Sequence, residues 1–176
     1  MCTCRLADKL QKNLDRDLYQ IEIMRSFLFL SFAFLLLSVE ANCQGDVQRT
    51  KQFNLNKGIA LSGYDPVSYY NGKPMKGRSD LSYAYKDVVY YFAVRQNLEK
   101  FKQNPAGYEP QYGGWCAYAM GNTGEKVEVD PETYKIIGGK LYLFYNKYFN
   151  NTLKSWNKNE SYLKQRADAN WQKVFH

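Results

Sequence analysis

Histidine is almost missing from this 176-residue chain, which has one, His176 at the C-terminal position. That scarcity excludes a histidine-built zinc cage and a Ser-His-Asp triad. Cysteine is scarce as well: Cys2, Cys4, Cys43 and Cys116 are all there are. Only Cys116 falls inside the stretch expected to fold, so neither an internal disulfide framework nor a thiol pair is expected there. Long apolar runs are missing too. The longest, Phe27 to Leu37, is interrupted by Ser31 and falls short of the about 20 residues that a membrane-crossing helix needs. Basic residues outnumber acidic ones, 24 to 17, for a net charge of +7, but they are dispersed with no run of three. A nucleic-acid binder clusters them into a patch, so nucleic acid is excluded as the expected partner. No glycine-rich phosphate loop follows a strand. What is present is a folding composition, 45% hydrophobic and 16% aromatic, with sixteen tyrosines, and the length allows one domain plus a tail.

Arg25 stands before the apolar run and Ser38-Val39-Glu40-Ala41-Asn42-Cys43 follows it. A positive start, a short apolar centre and small residues after it read as a secretory signal over 24–43, cleaved after Ala41 or after Cys43. Glu40 and Asn42 crowd Cys43 and argue against lipidation. Residues 1–23 carry Asp8, Asp15, Asp17 and Glu22 where a leader is usually positive. They read as an extension ahead of a true start at Met24. The second reading is an amphipathic helix with Leu6, Leu10, Leu14 and Leu18 along one stripe. The expected location is exported, periplasmic or extracellular, with no integral membrane span after signal cleavage.

Residues 44–56 are polar and read as a flexible lead-in, and 57–176 as one domain. Ile59-Ala60-Leu61 predicts a short strand, and Asp65-Pro66 a helix start with Asp65 as N-cap. Leu81, Tyr83 and Tyr85 alternate with Ser82, Ala84 and Lys86, and Lys86-Asp87 separates them from the β-branched and aromatic run Val88 to Ala93. This predicts a hairpin. A helix follows from about Arg95 to Gln103, carrying Leu98 and Phe101 on one face and stopped at Asn104-Pro105. A second hairpin turns at Gly138-Gly139. Tyr145, Tyr148, Phe149, Leu153 and Trp156 fall at helix spacing, as do Leu163, Ala167, Trp171 and Val174. The expected fold class is α+β: a single small domain whose two hairpins form a small antiparallel sheet packed against about four helices.

The chemically conspicuous stretch is Tyr112-Gly113-Gly114-Trp115-Cys116. Cys116 admits two readings. Near a helix start its thiol could be activated, serve as a single metal or haem ligand, or edge a small-molecule pocket. Flanked by Trp115, Ala117 and Tyr118, it could equally pack as a small buried hydrophobe. Tyr64, Tyr112 and Trp115 stand in loop-like, glycine-flanked context and are candidate pocket walls, with Asp65 the carboxylate beside them. Asp130 with Glu132, and Glu125 with Glu128, read as solvated loops unless the fold gathers them into a cleft. Asn150-Asn151-Thr152 and Asn159-Glu160-Ser161 match the glycosylation sequon.

The string Gly63-Tyr64-Asp65-Pro66-Val67-Ser68-Tyr69 resembles the opening of a YHS domain. Tyr83 with Val89-Tyr90-Tyr91-Phe92, Asn97 to Phe101 with Asn104 to Tyr108, and Gln111 to Ala119 extend the likeness, as do Gly139 to Leu143 and Ala167-Asp168-Ala169-Asn170-Trp171. It covers about Lys57 to Trp171 and is similar to the exported, stand-alone branch of the family. Metal-associated members carry cysteines at three points that correspond here to Ser68, Ala93 and Asn97. A serine, an alanine and an asparagine do not make a soft-metal site. The resemblance therefore implies no metal site, with Cys116 the single residue that could bind a metal, and it leaves any cofactor unknown. The expected role is a non-catalytic binding module for a small ligand or envelope protein, with Tyr64, Asp65, Tyr112, Gly113, Gly114, Trp115 and Cys116 as its binding residues. The alternative is a metal or haem carrier, or a thiol-dependent redox factor, using Cys116.

Overall fold

Alternation of side chains about the pleat builds the first sheet. In β4 (Val88–Phe92), Val88, Tyr90 and Phe92 are buried and the residues between them half-open. β3 (Arg78–Tyr85) pairs antiparallel with β4, its register shifting between Arg78 and Ser82. On the other side of β4, β2 (Ile59–Ala60) runs parallel to it and pairs with β1 (Leu55–Asn56), giving the order β1-β2-β4-β3. The computed structural model describes residues 48–174. The expected signal at 24–43, the extension 1–23, Cys2, Cys4, Cys43 and His176 lie outside the described residues.

Residues 48–52 close as a helical turn, α1. α2 (Arg95–Gln103) packs Leu98 and Phe101 onto the sheet, as their spacing predicts. The Phe101 ring lies 4.8 Å from Tyr90 and 5.2 Å from Phe92. Asn104 ends this helix and caps the next, α3 (Pro105–Tyr108), by accepting from the Gly107 amide. A short turn and α4 (Ala117–Asn122) lead to the second hairpin, β5 (Asp130–Ile137) and β6 (Lys140–Phe144), which forms a sheet of its own. β7 (Asn146–Lys147) and β8 (Asn150–Asn151) make a third, followed by α5 (Thr152–Lys158) and α6 (Glu160–Lys173). The fold is α+β, as the element pattern predicts. The two expected hairpins are both present but in separate sheets.

β6 holds the two halves of the core together. Its Leu141 and Leu143 face the cluster built on the first sheet, with Val88, Phe92 and Phe101. Its Tyr142 and Phe144 face a second cluster with Trp156, Leu163 and Ala167. A strand buried on both faces reads as an unbroken apolar run, which is why Leu141 to Phe144 shows no alternation. Between the helices of the second cluster Gly121 is required. A Cβ there would stand 2.4 Å from the carbonyl oxygen of Leu163, so α4 and α6 approach this closely only at a glycine.

Three sequence expectations differ from the structure. The helix start at Asp65-Pro66 yields only a 3₁₀ turn, Ser68–Asn71, which Gly72 ends at φ 76°. The helix spacing of Tyr145, Tyr148 and Phe149 is coincidental: 146–151 is the β7–β8 hairpin, and helix begins at Thr152. The flexible lead-in is docked where it is described. Arg49 pairs with Glu109 at 2.6 Å and lies over the Phe53 ring, Phe53 stacks on Trp171, and Leu55–Asn56 joins the sheet. Polar composition hid the two anchoring aromatic and aliphatic residues among hydrophilic neighbours.

Four hairpin loops have two residues, all with positive φ: Lys57-Gly58, Lys86-Asp87, Gly138-Gly139 and Tyr148-Phe149. That is the type I′ shape, favoured by Asn, Asp and Gly. Bulky L-residues there cost about 1 kcal/mol each. The fourth loop is out of keeping with the other three.

Burial raises the phenol pKa of Tyr69, Tyr90, Tyr112 and Tyr142 above the ordinary 10.0, and that of Tyr70 to about 12. The folded chain then holds these protons more tightly than the unfolded chain. Their contribution to stability is whole below pH 10.0 and is lost as pH rises toward about 12. The free energy of urea unfolding is expected to fall across that interval, with buried tyrosinate absorbance emerging only as the fold is lost. Complete, reversible ionisation of every tyrosine in a still-folded chain would contradict this.

Candidate functional site

Asp65 is fully buried, and a carboxylate without water needs donors for its lone pairs. Its Oδ1 accepts from the amides of Val67, at 2.9 Å, and Ser68, at 3.3 Å. Its Oδ2 accepts from the Ala93 amide at 2.9 Å and from Asn97 Nδ2 at 2.7 Å. The Ser68 hydroxyl donates to the Asp65 carbonyl at 2.6 Å and accepts from the Met75 amide. Three chain segments thus meet on one side chain: the 65–71 turn, the end of β4 and the first turn of α2. Asp65 caps its turn as expected, but it is no pocket wall.

Ser68, Ala93 and Asn97, the three positions at which the resemblance would place thiolates, are the residues gathered here. The Ser68 hydroxyl and the Asn97 amide are already engaged, and Ala93 offers only its backbone. These side chains do not fit a soft metal ion. Among the described residues no group of three His, Cys, Asp or Glu side chains is placed to hold one.

The Tyr112–Trp115 segment is covered rather than open. Gly113 has φ 59°, and a Cβ on it would meet the Phe53 ring at 2.3 Å and Trp171 at 2.9 Å. The Asn54 amide donates to the Gly113 carbonyl, the Asn54 side chain to that of Gly114, and Trp115 Nε1 to the Gln52 carbonyl at 2.6 Å. Tyr112 is buried and donates to Asp168 Oδ1 at 2.8 Å, while Lys164 holds the other Asp168 oxygen. Burial and then the Asp168 carboxylate raise the Tyr112 pKa, and the same carboxylate raises that of Lys164. Tyr112, Gly113, Gly114 and Trp115 are therefore packing positions beneath 48–54 and α6. Tyr64 is half-open: its hydroxyl donates to Glu132 at 2.8 Å, which raises its pKa, and Lys76 lies 4.1 Å above its ring.

Cys116 is fully buried but forms part of the floor of a surface pocket of about 320 Å³. Its Sγ lies 3.4 Å from Thr152 Oγ1 and accepts from the Tyr145 amide at 3.4 Å. Tyr118, Asn122, Glu125, Tyr145 and Asn150 stand around the opening. Glu125 is its one carboxylate and already accepts from Thr123. The hydroxyls of Tyr118 and Tyr145 and the amide groups of Asn122 and Asn150 are unpaired among the described residues. A second pocket, about 330 Å³, lies between Lys57, Ser62, Lys76 and Tyr91. Of the seven candidate binding residues, Cys116 lines the first pocket and none lines the second. The seven are not brought together.

Tyr118, Asn122, Tyr145 and Asn150 were not legible as site residues. They come from α4 and from a stretch whose helix spacing concealed a hairpin. The asparagines at 146, 150 and 151, frequent in turns, were the available signal.

No family model, curated protein or solved structure matches the chain. No helix among the described residues is long and apolar enough to cross a membrane.

Replacing Asp65 by Asn keeps the volume but turns an amide toward N–H donors. The Ala93 amide, or the pair at Val67 and Ser68, is then buried unsatisfied. Asp65→Asn is expected to lower the unfolding free energy by about 3 kcal/mol, read by urea denaturation. A loss below about 0.5 kcal/mol, the level of an ordinary surface change, would contradict the clamp.

Proposed function

We propose that this chain is an exported, YHS-like module without catalytic apparatus, which binds a small neutral molecule in the cell envelope through the pocket floored by Cys116. The observation that carries the reading is the lining of that pocket: a largely apolar wall with Ala119 and Val127, joined by Tyr118, Tyr145, Asn122 and Asn150, whose side-chain polar groups have no partner among the described residues, and one carboxylate, Glu125. Neutral donors and acceptors beside ring faces suit a ligand with its own hydroxyl or amide groups, and about 320 Å³ is at the low end of the range for ligand cavities. The kinship with YHS domains is supported by the convergence of Ser68, Ala93 and Asn97 on Asp65. In this reading a hydrogen-bond knot stands where the metal-associated relatives carry cysteines. Export rests on the signal-like stretch at 24–43.

A thiol-dependent role has less support. A reactive cysteine is accessible and lies in an electropositive setting. The Cys116 sulfur is buried, shared between Thr152 and the Tyr145 amide, and no second cysteine lies among the described residues.

The test is an NMR titration of the protein with a panel of neutral monosaccharides, polyols and small amides. Amide shifts are expected to centre on Tyr118, Asn122, Tyr145 and Asn150. The exposed pair Asn122→Ala and Asn150→Ala is expected to weaken binding about tenfold, the effect of roughly 1.4 kcal/mol, without changing the thermal midpoint. Shifts centred on Tyr64 or on Tyr112–Trp115, no shifts from any member of the panel, or turnover of a bound compound would contradict the reading.

A further inference from the structure

The β7–β8 loop combines two costs that a stable fold does not require. Tyr148 and Phe149 hold φ of 51° and 63°, where the other three loops of this shape carry glycine or a lysine with a small partner. Among the described residues they are also the most exposed large apolar ones, at 89% and 111% of the extended-chain value, and neither ring meets another aromatic ring. Strain and exposure in the same two residues point to a function.

The charge of the chain that flanks the loop indicates what it meets. From Lys140 to Lys158 the chain carries Lys140, Lys147, Lys154 and Lys158 and no carboxylate. All four are exposed, and none is ion-paired among the described residues. Lys147 stands beside the loop, and Lys154 lies in the first turn of α5. Aromatic rings that enter the headgroup layer beside lysines that meet anionic lipid are the two components of an interfacial anchor.

We propose that the Tyr148-Phe149 loop is a membrane-interface anchor, inserting its two rings into the surface of a bilayer containing anionic lipid. The anchor is separate from the pocket and does not depend on what the pocket holds. A hydrophobic slot on a partner protein would want the same rings but gives no reason for the unpaired lysines that flank them in the chain; the carboxylates that other elements bring to this hairpin are Asp130, which accepts from Asn146, and Glu125, across the pocket from Asn150.

The test uses the protein as recovered from its host, with vesicles of phosphatidylcholine alone and of two parts phosphatidylcholine to one part phosphatidylglycerol. A Phe149→Trp reporter is expected to shift its emission to the blue on the mixed vesicles, to be quenched by brominated acyl chains, and to lose both effects at high salt. Exchanging the loop for the residues its shape favours, Tyr148→Asn with Phe149→Gly, is expected to weaken binding to mixed vesicles at least tenfold. The same exchange leaves the thermal midpoint unchanged or higher, because the loop is relaxed. The proposal is overturned if the reporter stays solvent-quenched on mixed vesicles, if the exchanged loop binds them as the original does, or if insertion requires an added membrane protein.

Discussion

A buried carboxylate with four N–H partners and no cation is the constraint on which this fold depends. Asp65 meets the amides of Val67, Ser68 and Ala93 and the side chain of Asn97. Taking a carboxylate out of water is costly, and only a full set of donors offsets it. Such a set is all-or-none: moving the 65–71 turn, the end of β4 or the start of α2 strands a charge in the core. Ser68 extends the same knot to the Met75 amide. Ser68, Ala93 and Asn97 thus all donate hydrogen bonds to one carboxylate. The knot is structural, and its polar groups are all engaged.

The rest of the core sets where that can be. β6 sends alternate side chains into two clusters, so the segment alongside it, with bridges at Pro110–Leu141 and Cys116–Leu143, is drawn inward. That buries Tyr112 and Cys116. The 48–54 segment closes over the loop from the other side, through Asn54, Gln52 and Phe53. What stays open is the far side of Cys116, where α4, the 122–127 loop and the base of the β7–β8 hairpin leave a pocket. The same hairpin carries Tyr148 and Phe149 at its tip. Pocket and tip share this hairpin, the one largely apolar with a single carboxylate at Glu125, the other aromatic and flanked in the chain by lysine.

Local signals were legible where local physics decides. Lys86-Asp87 and Gly138-Gly139 mark their hairpins because only a turn tolerates positive φ at two successive residues. Asn104-Pro105 marks the end of α2 because proline restricts the residue before it. The role of Asp65 was half legible. Its cap partners Val67 and Ser68 are two and three residues away, but Ala93 and Asn97 are 28 and 32 away, and no sequence window joins them. Tyr112 to Trp115 looked like a binding loop because glycine-rich aromatic segments suit both ligands and close packing. The steric contacts at Gly113 with Phe53 and Trp171 decide for packing. The hairpin at 146–151 was masked by an accidental helical period, and with it Tyr148 and Phe149, the most exposed large apolar residues among those described.

Native-state hydrogen exchange at the amides bonded to Asp65 tests the clamp most directly. If the carboxylate joins the turn, β4 and α2 into one cooperative unit, the Val67 and Ala93 amides exchange only by global unfolding, with the same free energy and the same denaturant dependence. Exchange of Val67 through a low-energy local opening while Ala93 stays protected would mean that the turn detaches on its own, and the account built on Asp65 would be wrong.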